Sequence, residues 1–190
     1  MKLSAAEFIR GYIETHEGGL SLDKDDTGNW YKGALVGSKF GVTGAALAAY
    51  RGTPDISAHA MALLTIDEAV NIGLKLYYHD PHLDLLPWDP VTASVLDMAW
   101  GAGPGQATKL LQRMIGVADD GKVGRFTAAA YAQFVQHFGI EETARKWGAV
   151  RNAFYDNIIA IRPANAKYRN GWRNRTASFL PGTDWWRAAA

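Results

Sequence analysis

The sequence predicts a mainly α fold, and three observations support this. Apolar residues recur at helical spacing through most of the 190 residues, and cap residues followed by Glu or Pro mark several helix starts. With 48% apolar residues, the chain can bury a sizeable core without disulfides. Cysteine is absent, which excludes disulfides and thiolate metal sites, and a formal net charge of +1 gives no strong footprint for nucleic acid.

The predicted elements follow in chain order. Ser4 and Glu7 form a capping box for a first helix that Gly18-Gly19 ends. From Leu20 to Gly41, glycine, acidic and aromatic residues lack helical periodicity, which predicts a loop or short hairpin. Further helices are predicted over about residues 43–50, 65–78, 89–100, 104–116, 125–137, 141–161 and 168–178.

The domain organisation is predicted to be a single domain over residues 1–190. No low-complexity linker interrupts the chain. The best internal boundary, Pro87–Pro90, is short and carries an aromatic anchor. We therefore expect two subregions, residues 1–88 and 89–180, around one core.

The N-terminal residues do not resemble a signal peptide, because Glu7 introduces a carboxylate before any long apolar run. No apolar stretch approaches the ~20 residues that a membrane span needs. We expect no stable membrane insertion. We also expect synthesis in the cytoplasm, with other machinery delivering the protein to any target outside.

Glu17 is the first candidate for chemistry. It follows Ile13 by four residues and Ile9 by eight, which places it on the apolar face of the predicted helix. It also falls in the last turn, where the helix dipole disfavours a carboxylate. Both effects raise a carboxyl pKa, as a general acid requires. The alternative is a glutamate at the edge of the face, exposed to water or paired with an arginine.

Three aspartates in the following loop are candidates for a second carboxylate. Glycoside hydrolysis usually uses one protonated and one ionised carboxyl group, and Asp25 or Asp26 could face Glu17 across a cleft. The alternative for these two residues and Asp23 is ordinary turn chemistry, in which the side chains accept hydrogen bonds from nearby amides.

The same loop carries Trp30, Tyr31 and Phe40 among several glycines. Aromatic faces stack on sugars, and glycine allows close approach of the backbone to a ligand. These rings therefore indicate a carbohydrate site or, equally, an aromatic mini-core beneath a glycine-rich loop.

Three segments in this order carry a family resemblance: residues 16–21 (HEGGLS), 23–30 (DKDDTGNW) and 37–43 (GSKFGVT). They resemble glycoside hydrolase family 108, a group of phage endolysins and bacterial N-acetylmuramidases. The resemblance implies a lysozyme-like helical fold with a small irregular or β segment after the first helix. It also implies cleavage of the β-1,4 bond between N-acetylmuramic acid and N-acetylglucosamine.

The second half resembles the peptidoglycan-binding region that accompanies this family. The segments are residues 95–101 (VLDMAWG), 111–117 (LQRMIGV), 120–127 (DGKVGRFT) and 171–175 (GWRNR). Bacterial peptidoglycan is the partner that this region implies.

The resemblance also assigns roles to residues. Glu17 matches the catalytic glutamate, and Asp26, with Asp25 as the alternative, matches a second acidic residue. Trp30, Tyr31, Phe40 and Trp100 are expected to line the substrate site, although Tyr31 and Trp100 stand where relatives often have Thr and Asn. The family implies no cofactor and no metal.

The resemblance leaves several functions open. An endolysin, expected to be a monomer, would stay in the host cytoplasm until a membrane lesion releases it to the periplasm and cell wall. The rivals are a lytic transglycosylase with the same acid, a non-catalytic wall-binding protein, and a tail-associated or secreted lysozyme. From Asn157 to Thr183 there are five cations and no acidic residue, which indicates either an attraction to anionic surfaces or a solvated helix face.

Overall fold

The computed structural model describes residues 3–16 and 18–190, with the backbone alone at residue 16. Glu17, the proposed acid, lies outside the described residues, as do Met1 and Lys2. The described residues form two compact units, one of residues 5–80 and one of residues 81–190 together with Leu3 and Ser4. The single domain divided at residue 88 stays a prediction.

The unit of residues 5–80 contains four α-helices, a π-helix and two hairpins among its described residues. Phe8, Ile9, Tyr12 and Ile13 are buried and share one face of the first helix, which packs on the fourth. The α-helices are α1 (Ala5–His16), α2 (Gly44–Arg51), α3 (Ala58–Ala62) and α4 (Ile66–Gly73), and the π-helix spans Leu74–His79.

The start of α4 shows how the sequence determines this unit. Thr65 accepts a hydrogen bond from the Glu68 amide at 3.2 Å, as the capping pattern predicts. The helix predicted to Tyr78 continues as the π-helix. The five-residue α3, capped by Ser57, was not predicted from the sequence.

The segment predicted as loop or hairpin forms two antiparallel two-stranded hairpins. In each, two residues with positive φ make the turn: Lys32-Gly33 (49° and 80°) and Phe40-Gly41 (55° and 72°). This is type I′ geometry, which matches the twist of the flanking strands. The strands are β1 (Trp30–Tyr31), β2 (Ala34–Leu35), β3 (Ser38–Lys39) and β4 (Val42–Thr43).

The unit of residues 81–190 is built around a buried helix. Asp89 caps it by accepting hydrogen bonds from the Val91 and Thr92 amides, both at 2.9 Å, and residues 90–99 are all buried. The helices are α5 (Pro90–Ala102), α6 (Pro104–Ile115), α7 (Arg125–Phe138), α8 (Ile140–Ile161), α9 (Arg169–Ala177) and α10 (Asp184–Ala189).

A buried ion cluster joins three helices of this unit. The Asp97 carboxylate on α5 accepts from Arg151 Nη2 of α8 at 2.6 Å and from Arg175 Nε of α9 at 2.9 Å. Because a buried charge is costly unless it is paired, this cluster fixes the three helices against one another.

The predicted mainly α class, with a short β segment after the first helix, is confirmed. The helices predicted from residue 89 onward are found within one to two residues of their expected ends, while α10 was not predicted. Among the described residues, no helix combines the length and apolar character needed to cross a membrane.

Candidate active site

The segment that follows Glu17 in the chain is tied to the second hairpin. The Gly18 carbonyl accepts a hydrogen bond from the Phe40 amide at 3.2 Å, and Ser21 exchanges backbone hydrogen bonds with Ser38 at 2.8 and 3.0 Å. These hydrogen bonds fix the backbone of residues 18–21 against the second hairpin.

Gly37 makes this close approach possible. A Cβ atom there would lie 2.6 Å from the Ser21 carbonyl oxygen, and the φ angle of Gly37 is +84°. Only glycine adopts that backbone without strain and leaves room for the Ser21–Ser38 pairing.

The aspartate loop is organised by its own carboxylates. Asp23 Oδ1 accepts from the Asp25 amide at 3.0 Å, and Asp26 Oδ1 accepts from the Gly28 amide at 2.8 Å. The second bond caps a short 3₁₀ turn, Thr27–Asn29. The turn chemistry considered as the alternative is therefore present. All three aspartates are nevertheless exposed, so their carboxylates also remain accessible to a ligand.

Asn29 connects the aspartate loop to the hairpins, and the sequence reasoning did not single it out. Its side chain is fully buried and donates from Nδ2 to Ser21 Oγ at 3.1 Å and to the Asp23 carbonyl at 2.9 Å. Its own carbonyl accepts from the Val36 and Gly37 amides at 3.0 and 2.9 Å. The sign of this role in the sequence is an amide side chain, Asn29, between Gly28 and Trp30 in a polar loop.

Trp30 lies against the aspartate loop. Its indole Nε1 donates to the Lys24 carbonyl at 2.9 Å, which fixes the ring, and 44% of the residue remains exposed. An aromatic ring that is both fixed and exposed is a suitable stacking surface for a sugar.

Tyr31 and Phe40 are half-buried. Successive residues of a strand point to opposite faces, so Tyr31 faces away from Trp30, toward Gly44, where an added Cβ would lie 2.9 Å from Tyr31 Cβ. Tyr31 lines a cavity of about 290 Å³ with residues 54–57. Lys39 Nζ lies 5.1 Å from the Phe40 ring and donates to the Ala62 carbonyl.

Trp100 lies on α5 in the other compact unit and is half-buried. Asp25, Asp26 and the three loop aromatics thus belong to the unit of residues 5–80, where Trp30 contacts the aspartate loop and Tyr31 faces away from Trp30. Trp100 belongs to the other unit. Its participation in the site stays a prediction. Among the described residues, no three acidic, histidine or cysteine side chains are placed to share a metal ion.

Comparison with known proteins defines the class. Residues 11–103 match the family described as Glycosyl hydrolase 108, and residues 106–177 match the family described as Predicted Peptidoglycan domain. The solved structure of Brucella abortus SagA is 25% identical, with a TM-score of 0.73 over 93% of this chain and 92% of its own. No curated protein matches the sequence.

These findings make the chain a peptidoglycan-related glycosyl hydrolase. It combines a family 108 glycosyl hydrolase region with a peptidoglycan-binding region. The resemblance that the motifs indicated is therefore confirmed in both halves, and so is the lysozyme-like fold class.

Proposed function

We propose that this protein is an N-acetylmuramidase that hydrolyses the β-1,4 bond between N-acetylmuramic acid and N-acetylglucosamine in peptidoglycan. The observation that carries the proposal is the family 108 match over residues 11–103. Glu17, both candidate loop carboxylates and the four aromatic residues all lie within that range.

In the proposed reaction, Glu17 donates its proton to the glycosidic oxygen as the bond to the anomeric carbon breaks. Positive charge develops on the sugar ring, and an ionised aspartate stabilises that charge or orients the attacking water. Trp30, Tyr31, Phe40 and Trp100 would line the sugar subsites.

Asp26 is our choice for the second carboxylate, with Asp25 as the alternative. Asp26 is exposed, and its Oδ1 is anchored by the Gly28 amide, so its orientation is set before a substrate arrives. The Asp25 carboxylate makes no hydrogen bond or ion pair with the residues that the structure describes, so its orientation is less constrained. A preorganised charge stabilises a transition state without reorganising during the reaction.

The decisive test of the acid is Glu17→Gln assayed on purified peptidoglycan. We expect a loss of about 10²-fold or more, because the amide cannot supply the proton. Glu14→Gln is the matched control, since Glu14 is an exposed glutamate on α1, three residues earlier in the sequence, and it should keep full activity. A Glu17→Gln protein that folds normally and cleaves like wild type would refute the proposal in favour of a non-catalytic wall-binding protein.

The second carboxylate is tested by comparing Asp26→Asn with Asp25→Asn. Asparagine at position 26 keeps an oxygen for the Gly28 amide and removes only the charge, so we expect a partial loss of activity with an unchanged fold. A loss confined to Asp25→Asn would transfer the role to Asp25.

A lytic transglycosylase with the same acid would produce anhydro ends, because a hydroxyl of the sugar replaces water. Mass spectrometry of the released muropeptides distinguishes the two reactions by the mass of one water. We expect hydrated reducing ends, and anhydro ends would overturn hydrolysis.

The family resemblance to phage endolysins extends the proposal to release of phage from a bacterial host by a monomeric enzyme. Intracellular expression should then lyse cells only after the membrane is permeabilised. Lysis without permeabilisation would favour a secreted lysozyme.

A further inference from the structure

Three aromatic rings of the unit of residues 81–190 form a stack that leads from its interior to its surface. The rings of Tyr155 on α8 and Trp172 on α9 lie 4.9 Å apart at an angle of 19°, and the Tyr168 ring lies 5.6 Å from that of Trp172. Tyr155 is 8% exposed, Trp172 is half-buried and Tyr168 is 48% exposed. The exposed ring therefore rests on two rings that the fold holds in place.

The local backbone explains why Tyr168 and Trp172 meet. A 3₁₀ helix, Pro163–Tyr168, leads directly into α9, so the two residues are four positions apart along a nearly continuous helical path. Side chains at this spacing lie on the same side of a helix. Because Trp172 in turn packs on the buried ring of Tyr155, a ligand that covers Tyr168 would cost little side-chain entropy.

The charges next to Tyr168 are positive. Lys167 Nζ lies 4.9 Å from the centroid of the Tyr168 ring, and Arg162 and Arg169 are exposed on either side of the 3₁₀ helix in the sequence. The side chains of these three cations form no hydrogen bond or ion pair with the residues that the structure describes. Their charge is therefore not compensated within that part of the chain.

Carboxylates on the neighbouring helices do not offset this charge. Asp156 on α8 is paired with Arg173 at 2.8 Å, and Asp97 on α5 is 2% exposed. The two glutamates of α8 lie in its first turn, at the opposite end of the helix, and no acidic residue occurs from position 157 to 183. An anionic group next to Tyr168 would therefore be attracted.

Phe126 shows that exposure of a ring beside a cation is not enough to make a fixed surface. It is 72% exposed, and the guanidinium carbon of Arg125 lies 4.8 Å from its ring centroid. Among the described residues, however, no second aromatic ring supports it. Covering this ring with a ligand would cost more side-chain entropy than covering Tyr168.

We propose that Tyr168 is a binding platform for the glycan strand of peptidoglycan, with one sugar packed on its exposed ring. Lys167, Arg162 and Arg169 attract the carboxylates of the peptide stems that the strand carries. An aromatic ring offers an apolar face to the C–H groups of a sugar, and the cations complement the anionic stems. The choice of peptidoglycan as the ligand rests on the proposed function and is supported by the family match of residues 106–177, which contain this surface.

The first test compares Tyr168→Ala with Tyr168→Phe in the full-length Glu17→Gln protein, by co-sedimentation with insoluble peptidoglycan. An ionic strength of about 1 M shortens the Debye length to about 3 Å, so the attraction between charges is largely screened and the contribution of the ring remains. Loss of the ring should weaken binding about three- to tenfold. Phenylalanine keeps the ring, so binding should stay within about twofold of the parent protein.

Phe126→Ala is the matched control, because it removes an exposed ring beside a cation in the same unit. We expect it to change binding less than about twofold. Thermal unfolding of each variant verifies that the fold is intact.

A titration with soluble fragments separates the sugar from the charge. The probes are a disaccharide-tetrapeptide muropeptide and chitobiose, a neutral disaccharide of N-acetylglucosamine. Binding is followed through the indole NMR signal of Trp172, which is identified by its disappearance in Trp172→Phe. The muropeptide should shift this signal saturably and bind at least about threefold more tightly than chitobiose, and Lys167→Gln should reduce that difference.

Several outcomes would overturn the proposal. These are wall binding by Tyr168→Ala equal to that of its parent, equal losses with Phe126→Ala, or equal affinities for muropeptide and chitobiose. Sedimentation with phosphatidylglycerol vesicles that depends on Tyr168, without such dependence for the wall, would assign the surface to an anionic membrane instead. The titration involves no cleavage, so a Glu17→Gln protein that still cleaves would refute the proposed acid and leave the result at Tyr168 unaffected.

Discussion

At the scale of single residues, Asp89 caps α5 with a carboxylate whose ionisation is made less favourable by burial. Burial raises its pKa, against the opposing effect of hydrogen bonds from the Thr92 and Val91 amides and the Tyr131 hydroxyl. Between the unfolded-state pKa near 3.8 and the raised folded-state pKa, the native state binds the Asp89 proton more tightly than the unfolded state does. The contribution of Asp89 to the free energy of unfolding therefore falls as pH rises through that window.

Asp89→Asn should remove this pH dependence, because asparagine caps a helix about as well without a titrating charge. Denaturant unfolding of both proteins should show wild type losing stability relative to the variant as pH rises from 3.8 through the raised folded pKa of Asp89. Asp119→Asn is the control of opposite sign, since the paired Arg113 lowers the pKa of Asp119. The ionised Asp119 carboxylate stabilises the protein above pH 3.8, and this contribution is lost as pH falls through the lowered folded-state pKa. A constant difference between wild type and Asp89→Asn would contradict this account.

At the scale of elements, the second hairpin is hydrogen-bonded to the chain that follows Glu17, and Gly37, immediately before this hairpin, tolerates no side chain without strain. Gly37→Ala should destabilise the protein by about 2–5 kcal/mol, because it combines a left-handed backbone with a contact against the Ser21 carbonyl. It should also reduce cleavage of peptidoglycan.

Gly33→Ala provides the matched control for that substitution. Gly33 has a similar φ angle, +80°, but a Cβ there would meet no atom within 4 Å. We expect a cost of about 1–2 kcal/mol from the backbone alone. Equal effects of the two substitutions in denaturant titrations would show that the contact with Ser21 is unimportant.

Elements with local signals could be predicted from the sequence, and those fixed by distant contacts could not. The Thr65 cap and the Asp89-Pro90 start of α5 are encoded within four residues. The turns at Lys32-Gly33 and Phe40-Gly41 lack the Asn-Gly signal of a type I′ hairpin, so the sequence predicted only a loop or short hairpin.

The residues of the candidate site also differ in whether a local sequence signal or distant contacts define them. Glu17 and Asp26 could be proposed from the sequence because they stand in local motifs, whereas Asn29 acts through partners at residues 21, 23, 36 and 37. The cluster of Asp97, Arg151 and Arg175 spans 78 residues of sequence. No periodicity in the sequence reveals such a tertiary group.

At the scale of the whole molecule, charge is unevenly distributed. The net charge of +1 includes a segment, residues 157–183, with five cations and no acidic residue. Arg162, Lys167 and Arg169 in this segment are exposed. Because peptide stems and other wall components carry negative charge, this segment should contribute a salt-sensitive part of the affinity for the wall.

Co-sedimentation with insoluble peptidoglycan measures this affinity, and the Glu17→Gln protein is used so that the wall is not cleaved. Raising the ionic strength from about 0.1 M to about 1 M shortens the Debye length from about 10 to about 3 Å and should lower the bound fraction severalfold. Replacing Arg162, Lys167 and Arg169 by glutamine should weaken binding at low salt and remove most of the salt dependence. The control replaces Lys109, Lys122 and Arg125 by glutamine. This variant has the same net charge as the first, but it loses cations outside residues 157–183, so its binding should retain the salt dependence. If both triple variants behaved alike, total charge rather than this segment would govern the attraction to the wall.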